Sequence, residues 1–163
     1  MSEQRSLVQR MVGAALLDVD TYEEVEHDPN ATAQAGGVVA LVAACTAIGT
    51  WGGPGMVTGA LTALVGWLVW SGITYLIGTK FFEGEATWGE LLRTIGFAQA
   101  PGILAVLGLV PLVGGMVRFA LLFWLLAAGI VAIRQALDVS TGKAVLTAVL
   151  GWVAYGLLVL LVR

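Results

Sequence analysis

The chain has 163 residues, of which 58% are hydrophobic and only 12% are charged. Soluble domains carry about 25% charged residues because their surfaces face water, so this composition excludes a soluble fold and predicts that lipid surrounds the chain. Seven of the 11 acidic residues lie within residues 1–28, which excludes an N-terminal arm for nucleic acid or anionic lipid.

Residues 5–17 predict a short amphipathic helix ahead of the apolar tracts. One face carries Leu7, Val8, Met11, Val12 and Ala15, and the opposite face carries Ser6, Gln9 and Arg10. A helix of this kind either lies in the membrane interface or packs against the membrane helices, and the sequence leaves both arrangements open.

Residues 18–28 form the most polar segment of the chain. Thr21 followed by Glu24 fits a capping box, which predicts a short helix over residues 22–27. Glu24 and His27 also have the Glu-x-x-His spacing of di-iron bundles, but those sites need two such motifs and this chain has one histidine. A second subunit would have to complete such a site, and we otherwise interpret the segment as a solvated acidic helix without a metal.

Asp28 followed by Pro29 is typical of an N-cap with proline at the first helical position, so it predicts the start of the first membrane span. We accordingly divide the chain into an N-terminal amphipathic and acidic segment, residues 1–28, and a transmembrane domain, residues 29–163.

Long uncharged tracts predict the number of spans. No acid or base separates Asp28 from Lys80, a stretch of 51 residues, and three shorter uncharged tracts follow. A spanning helix needs about 20 apolar residues, so the first tract holds two spans, with a tight turn at residues 52–55, and each later tract holds one. The predicted fold is an all-α integral membrane bundle of five transmembrane helices with a short N-terminal amphipathic helix. The expected spans cover residues 29–49, 56–79, 95–115, 116–137 and 142–162.

The third span is the least regular. A second capping box, Thr87 and Glu90, opens a helix that Pro101 bends or interrupts, and a re-entrant hairpin competes with a full crossing. The side-chain amide of Gln99 could satisfy carbonyls that the proline frees, so Gly96, Gln99 and Pro101 are the candidate structural hinge.

The distribution of basic residues predicts the orientation. With five spans and the N-terminus inside, the outer face receives only Arg118 and Arg163, and the inner face receives Arg5, Arg10, Lys80, Arg93, Arg134 and Lys143. We expect a multi-pass protein of the cell membrane with a cytoplasmic N-terminus and an external C-terminus. Asp138 follows Arg134 by four residues, which predicts an ion pair between them.

Three short elements of the chain resemble the Yip-domain family, the membrane domain of Ypt/Rab-interacting proteins. They are Gly96-Phe97-Ala98-Gln99-Ala100-Pro101, Trp124 in a span that closes with Arg134-Gln135-Ala136-Leu137, and Ser140-x-x-Lys143-Ala144. Asp28-Pro29 and the acidic opening are similar to prokaryotic members. The candidate family-motif positions are Phe97, Arg134, Asp138, Ser140 and Lys143.

The resemblance implies five spans and a cytoplasmic N-terminus. Eukaryotic relatives add a long cytoplasmic N-terminus, and they associate with Rab-type GTPases and with one another in vesicle traffic. The N-terminal segment of this chain is short and lacks the aspartate-leucine-tyrosine-glycine-proline element of those relatives, which argues against GTPase binding. The resemblance therefore favours a prokaryotic type of member.

The sequence lacks the residue patterns that catalysis or cofactor binding would need. It lacks a phosphate-binding loop in the right context and carries no ionisable group at bilayer depth, so we expect no enzyme activity. Small residues on the fifth span favour close helix packing, within the chain or between copies: Thr147, Gly151, Ala154 and Gly156. A scaffold or protein-interaction module is the preferred function, with membrane lipids, further copies or other membrane proteins as partners. The alternatives are a small transporter or channel and a lipid-organising, bilayer-shaping protein.

Overall fold

The computed structural model describes residues 5–50 and 56–162, and over these ranges the chain is helical without strands. The predicted turn at residues 52–55 lies outside the described residues. The all-α class is confirmed. The elements are α1 (Leu7–Ala15), α2 (Val19–His27), α3 (Ala31–Gly49), α4 (Met56–Phe81), α5 (Trp88–Phe97), a 3-10 helix (Ala100–Leu109), α6 (Val113–Ala136) and α7 (Thr141–Val162).

Five segments are long and apolar enough to cross a membrane, as the sequence predicted: Ala31–Gly49, Val57–Phe81, Trp88–Leu109, Val113–Ala136 and Thr141–Leu158. The helices α4, α6 and α7 present large apolar side chains outward, where only hydrocarbon can cover them favourably. Examples are Leu61, Val65, Met116, Phe119, Phe123, Trp152 and Val153.

The predicted bounds of the third and fourth spans are wrong. The third begins at Trp88, not residue 95, because the capping box forms there: Thr87 Oγ1 accepts from Glu90 N at 3.3 Å, and Glu90 Oε2 accepts from Thr87 N at 2.7 Å. It ends at Leu109, and the chain turns over residues 110–112, where Leu112 has a φ of 69°. The fourth span therefore starts at Val113, not at residue 116.

Pro101 interrupts the third span in an unusual way. The helix α5 ends four residues before it, at Phe97, and the chain continues as a 3-10 helix of ten residues. Runs of 3-10 helix longer than three or four residues are uncommon, so this segment needs support from its neighbours.

The third span lies beside α3 along its whole length, in the same direction. Gly96 packs on Ala35, Gly102 packs on Val42, and the backbone of Ala105 meets Gly49 at the far end of α3. This arrangement argues against a re-entrant hairpin, because the segment reaches as far as α3 does. In the third span 61% of the apolar window is buried, against 17 to 28% in the other four, so it is the central helix of the bundle.

Two predicted helix starts differ from the structure. The helix α2 begins at Val19 with Asp18 at its cap, so Thr21 lies inside the helix and forms no capping box with Glu24. The helix α3 is preceded by Asn30, whose backbone N–H donates to Asp28 Oδ1 at 3.0 Å. The predicted cap at Asp28 is therefore wrong by two residues, because the helix has Asn30 at its cap position.

Candidate functional site

The helices α1 and α2 pack against the bundle and form its candidate functional site. We call residues 5–28 the N-terminal unit. Its helices contact α5, α6 and the 3-10 helix. The indole of Trp124, halfway along α6, donates to Ala15 O at 2.7 Å, and the buried hydroxyl of Tyr22 lies 3.5 Å from Ala128 O of the same helix. The unit is thus attached along the side of the membrane helices.

Arg10 of α1 points into the protein, whereas Ser6 and Gln9 are exposed and much of the apolar face points outward. Arg10 is only 2% exposed and Ala14 is fully buried. We call the outward residues the outer stripe of α1; they are 42 to 71% exposed and comprise Leu7, Val8, Val12 and Leu16. The predicted amphipathic helix is present, and it packs against the membrane helices through the side that carries its cation.

Arg10 joins three helices. Its Nη2 lies 2.9 Å from Glu24 Oε1 and 2.8 Å from Asp28 Oδ2, and its Nη1 donates to Gln34 Oε1 at 3.0 Å. Both carboxylates belong to the N-terminal unit, and Gln34 belongs to α3. The buried charge is therefore fully partnered, which is what makes its burial tolerable.

The Arg10–Asp28 pair predicts an acid-sensitive contribution to stability. Burial alone would raise the pKa of Asp28, but hydrogen bonds from Arg10 and from Asn30 N, with the charge of Arg10, hold it below its ordinary 3.8. A depressed carboxyl pKa adds stability above the unfolded value and loses it as the pH falls through the folded value. The difference in melting temperature between wild type and Asp28→Asn in detergent should be largest near about pH 6 and shrink below pH 3.8.

Asp20→Asn is the matched control for this pH series, because Asp20 is an exposed acid on α2. It should change the melting temperature little at any pH. A gap between wild type and Asp28→Asn that stayed constant down to strongly acidic pH would contradict the assignment.

Arg93 holds the C-terminal end of α2 against α5. Its guanidinium is 8% exposed, and Nε donates to Val25 O at 3.0 Å and to Glu26 O at 2.9 Å. The last carbonyls of a helix lack partners within the helix and carry partial negative charge, so a buried cation is favourable there. Nη1 also donates to Thr32 Oγ1 at 3.4 Å, which ties the start of α3 to the same group.

Glu23, Glu26 and His27 bring one potential ligand atom each within 4.8 Å of one another. The Glu-x-x-His spacing pairs Glu24 with His27 instead, but Glu24 is engaged by Arg10. Burial raises the pKa of Glu26 to about 7; Glu23 adds to the shift, and His27 opposes it. The spacing Glu23-x-x-Glu26-His27 was a signal in the sequence that could have found this cluster, since all three positions are neighbours on a helix surface.

The closing residues of α6 position that cluster. Gln135 Nε2 donates to Glu23 Oε1 at 2.6 Å, and Arg134 Nε donates to Gln135 Oε1 at 2.9 Å. The predicted Arg134–Asp138 ion pair is wrong. The helix ends at Ala136 and Asp138 has a φ of 51°, so the helical spacing that would align the two side chains is lost.

The other family-motif positions lie in the core or join neighbouring helices. Phe97 is fully buried in the core. Lys143 Nζ donates to Phe82 O at 3.0 Å, which joins the start of α7 to the end of α4. Ser140 precedes α7, and its carbonyl accepts from Ala144 N at 3.0 Å.

Gln99 lies at the start of the 3-10 helix and lines a surface groove of about 420 Å³ between α3, α4 and that helix, with Thr46 and Thr50. Its side-chain amide makes no hydrogen bond within the described part of the chain. Backbone hydrogen bonds stabilise this turn instead, including the one that Gly102 N donates to Gln99 O at 2.8 Å. The expected interaction of Gln99 with carbonyls freed by Pro101 is therefore absent there, and the hinge stays a prediction.

The small residues of α7 divide between two faces. Thr147 is fully buried, and Gly151 is buried against Thr74 and Trp70 of α4. Ala154 is half-buried. Gly156 is exposed, with open space where a Cβ would lie, so packing of this residue between copies stays a prediction.

These features define a class: a multi-pass α-helical membrane protein whose N-terminal helices are attached to a bundle of five candidate spans. The Yip1 domain matches residues 13–163, nearly the whole chain, and the protein belongs to that family. No curated protein and no solved structure matches it.

Proposed function

We propose that this Yip1-domain membrane protein is a non-catalytic scaffold that recruits other membrane proteins through its N-terminal unit. The observation that carries the proposal is the outer stripe of α1. A helix that buries Arg10 and exposes Leu16 is unfavourable in water, so the stripe requires an apolar neighbour.

The attachment of the N-terminal unit supports recognition of a partner. Bonds of Arg10 to Gln34, of Arg93 to the carbonyls of α2 and of Trp124 to Ala15 hold the unit against α3, α5 and α6. A surface held rigidly before binding loses less conformational entropy when a partner docks, which favours affinity. The outer stripe is such a surface, and its apolar composition suits the transmembrane or interfacial helix of a partner, including a second copy of this chain.

The orientation we propose has the N-terminus in the cytoplasm, the N-terminal unit along the cytoplasmic half of the bundle, and the C-terminus outside, in the cell membrane. Basic residues gather at the end of the bundle that holds this unit. Arg93 contacts α2, and Arg134 donates to Gln135, which in turn donates to Glu23. Lys143 contacts the segment that follows Lys80. Arg118 lies near the other end, and Arg163 is outside the described residues. Excess arginine and lysine mark the cytoplasmic side of membrane proteins.

A lipid-organising protein is the second candidate, and the groove lined by Gln99 favours it. The groove is largely apolar with one unpartnered amide, which suits an acyl chain with a polar linkage. Transport has less support, because the spanning segments carry no ionisable residue at mid-depth in the sequence.

Site-specific photo-crosslinking in native membranes distinguishes these functions. A photoreactive amino acid at Val8 or Val12 should give adducts of discrete protein mass, because both side chains point away from the bundle. The matched control is Leu150 on α7, an exposed residue of a membrane span that should yield lipid adducts. Lipid adducts alone at Val8, Val12 and Leu150 would overturn the scaffold and favour the lipid-organising protein.

A further inference from the structure

The end of α2 carries Glu26, a buried carboxylate that no cation pairs with in the described part of the chain. Glu26 is 6% exposed, and its Oε2 is buried and accepts no hydrogen bond. Arg93 lies beside it but donates to the backbone carbonyl of Glu26. A buried carboxylate is otherwise found paired with a cation or coordinated to a metal ion.

His27 and Glu23, the neighbours of Glu26 in the cluster, make the kind of hydrogen bonds that orient metal ligands. His27 Nδ1 lies 2.9 Å from Glu23 O, so it donates its proton there and leaves Nε2 with a free lone pair. Metal-binding histidines characteristically use their second nitrogen in this way. Glu23 is oriented by the 2.6 Å hydrogen bond from Gln135 Nε2, which is the kind of outer contact that fixes a ligating carboxylate.

We propose that Glu23, Glu26 and His27 bind a divalent transition-metal ion of the Zn²⁺ type. Two carboxylate oxygens and one imidazole nitrogen suit Zn²⁺, Mn²⁺ or Fe²⁺ better than Ca²⁺ or Mg²⁺, which prefer oxygen ligands alone. Ligand atoms around one Zn²⁺ lie about 3.3 Å apart, so the three side chains, whose ligand atoms now lie within 4.8 Å of one another, would draw together around the ion.

The ion would connect the N-terminal unit to the bundle. Glu26 and His27 end α2, and Glu23 is bonded to Gln135 of α6. Three protein ligands leave a coordination position for water, and the exposure of His27 gives the ion a path from solvent. Metal binding would therefore stabilise the packing of α2 on α6, independently of what the outer stripe of α1 recognises.

The test is metal titration of the full chain in detergent, after removal of any polyhistidine tag and treatment with a chelator. Zn²⁺ should raise the melting temperature in a saturable way that the chelator reverses, because a ligand that binds the folded state stabilises it. Co²⁺ used as a probe should develop a visible absorption band. No melting shift and no band would overturn the proposal.

Variants locate the site and exclude surface binding. Glu26→Gln and His27→Ala should lose at least about 10-fold in affinity, and Gln135→Ala, which removes only the positioning contact, about 10-fold. Asp20→Asn changes an exposed acid on the same helix and should bind like wild type. Equal Zn²⁺ responses in wild type, Glu26→Gln and His27→Ala would contradict the site, even if one variant were less stable.

Discussion

Arg10→Met should destabilise the protein by about 3 kcal/mol and release the N-terminal unit from the bundle. Removing one partner of a buried ion pair leaves a charge without compensation, which is the costly case; here that charge is chiefly Asp28, because Glu24 also pairs with Arg5. Here Glu24 and Asp28 would both lose a bond of less than 3 Å, and Gln34 would lose its donor. The measurement is unfolding in mixed micelles with increasing denaturing detergent, together with limited proteolysis of residues 5–28.

Arg5→Met is the matched control for Arg10→Met. Arg5 also pairs with acids of the N-terminal unit, Asp18 at 2.8 Å and Glu24 at 3.5 Å, but its side chain is 36% exposed. Exposed pairs contribute about 0–1 kcal/mol. Adding Glu24→Gln and Asp28→Asn to Arg10→Met should recover part of the loss, because the uncompensated charges disappear. Equal effects of Arg5→Met and Arg10→Met would refute the role of the buried cation.

Gly96→Val should also cost about 3 kcal/mol, through the packing of the central span on α3. A Cβ at this position would stand 2.7 Å from Ala35 Cβ and 3.2 Å from Ala35 Cα. Neither atom can turn away as the end of a flexible side chain could, so the two helices must move apart. The same unfolding assay in mixed micelles measures the effect.

Two further variants test the reason for the Gly96 effect. Gly37 lies in α3 with open space around it, so Gly37→Ala should stabilise the helix by about 0.5–1 kcal/mol. Gly96→Ala combined with Ala35→Gly should be less destabilised than the sum of the single variants, because the second change removes the clashing methyl group. Strict additivity would show that the contact between these helices does not limit stability.

Local signals accounted for most of the fold. Uncharged tracts located the five spans, and the capping box at Thr87 and Glu90 marked the helix start that the structure has. Both depend on residues close together in the chain, so the sequence displays them directly. Pro101 likewise announced an interruption, although its form, a long 3-10 helix, depends on contacts with α3 that the sequence does not display.

Long-range partners account for the errors. The amphipathic pattern left the placement of α1 open, and Arg10 turns inward because Glu24, Asp28 and Gln34 meet it there. Arg93 was counted only as an inner-face charge, because its partners are the backbone carbonyls of α2, 67 and 68 residues away. Backbone acceptors leave no trace in side-chain patterns.

The 3-10 segment of the central span has a geometric consequence. Three residues per turn bring Gly102, Ala105 and Gly108 into one straight row, and all three meet α3. Ten residues rise about 20 Å as 3-10 helix and about 15 Å as α-helix. If the segment converted to α-helix, each residue would rotate by about 20° less, and the row would no longer face α3. The contact of this row with α3 therefore fixes the span at its longer length. The difference of about 5 Å is similar to the difference in thickness between thin and thick cellular bilayers.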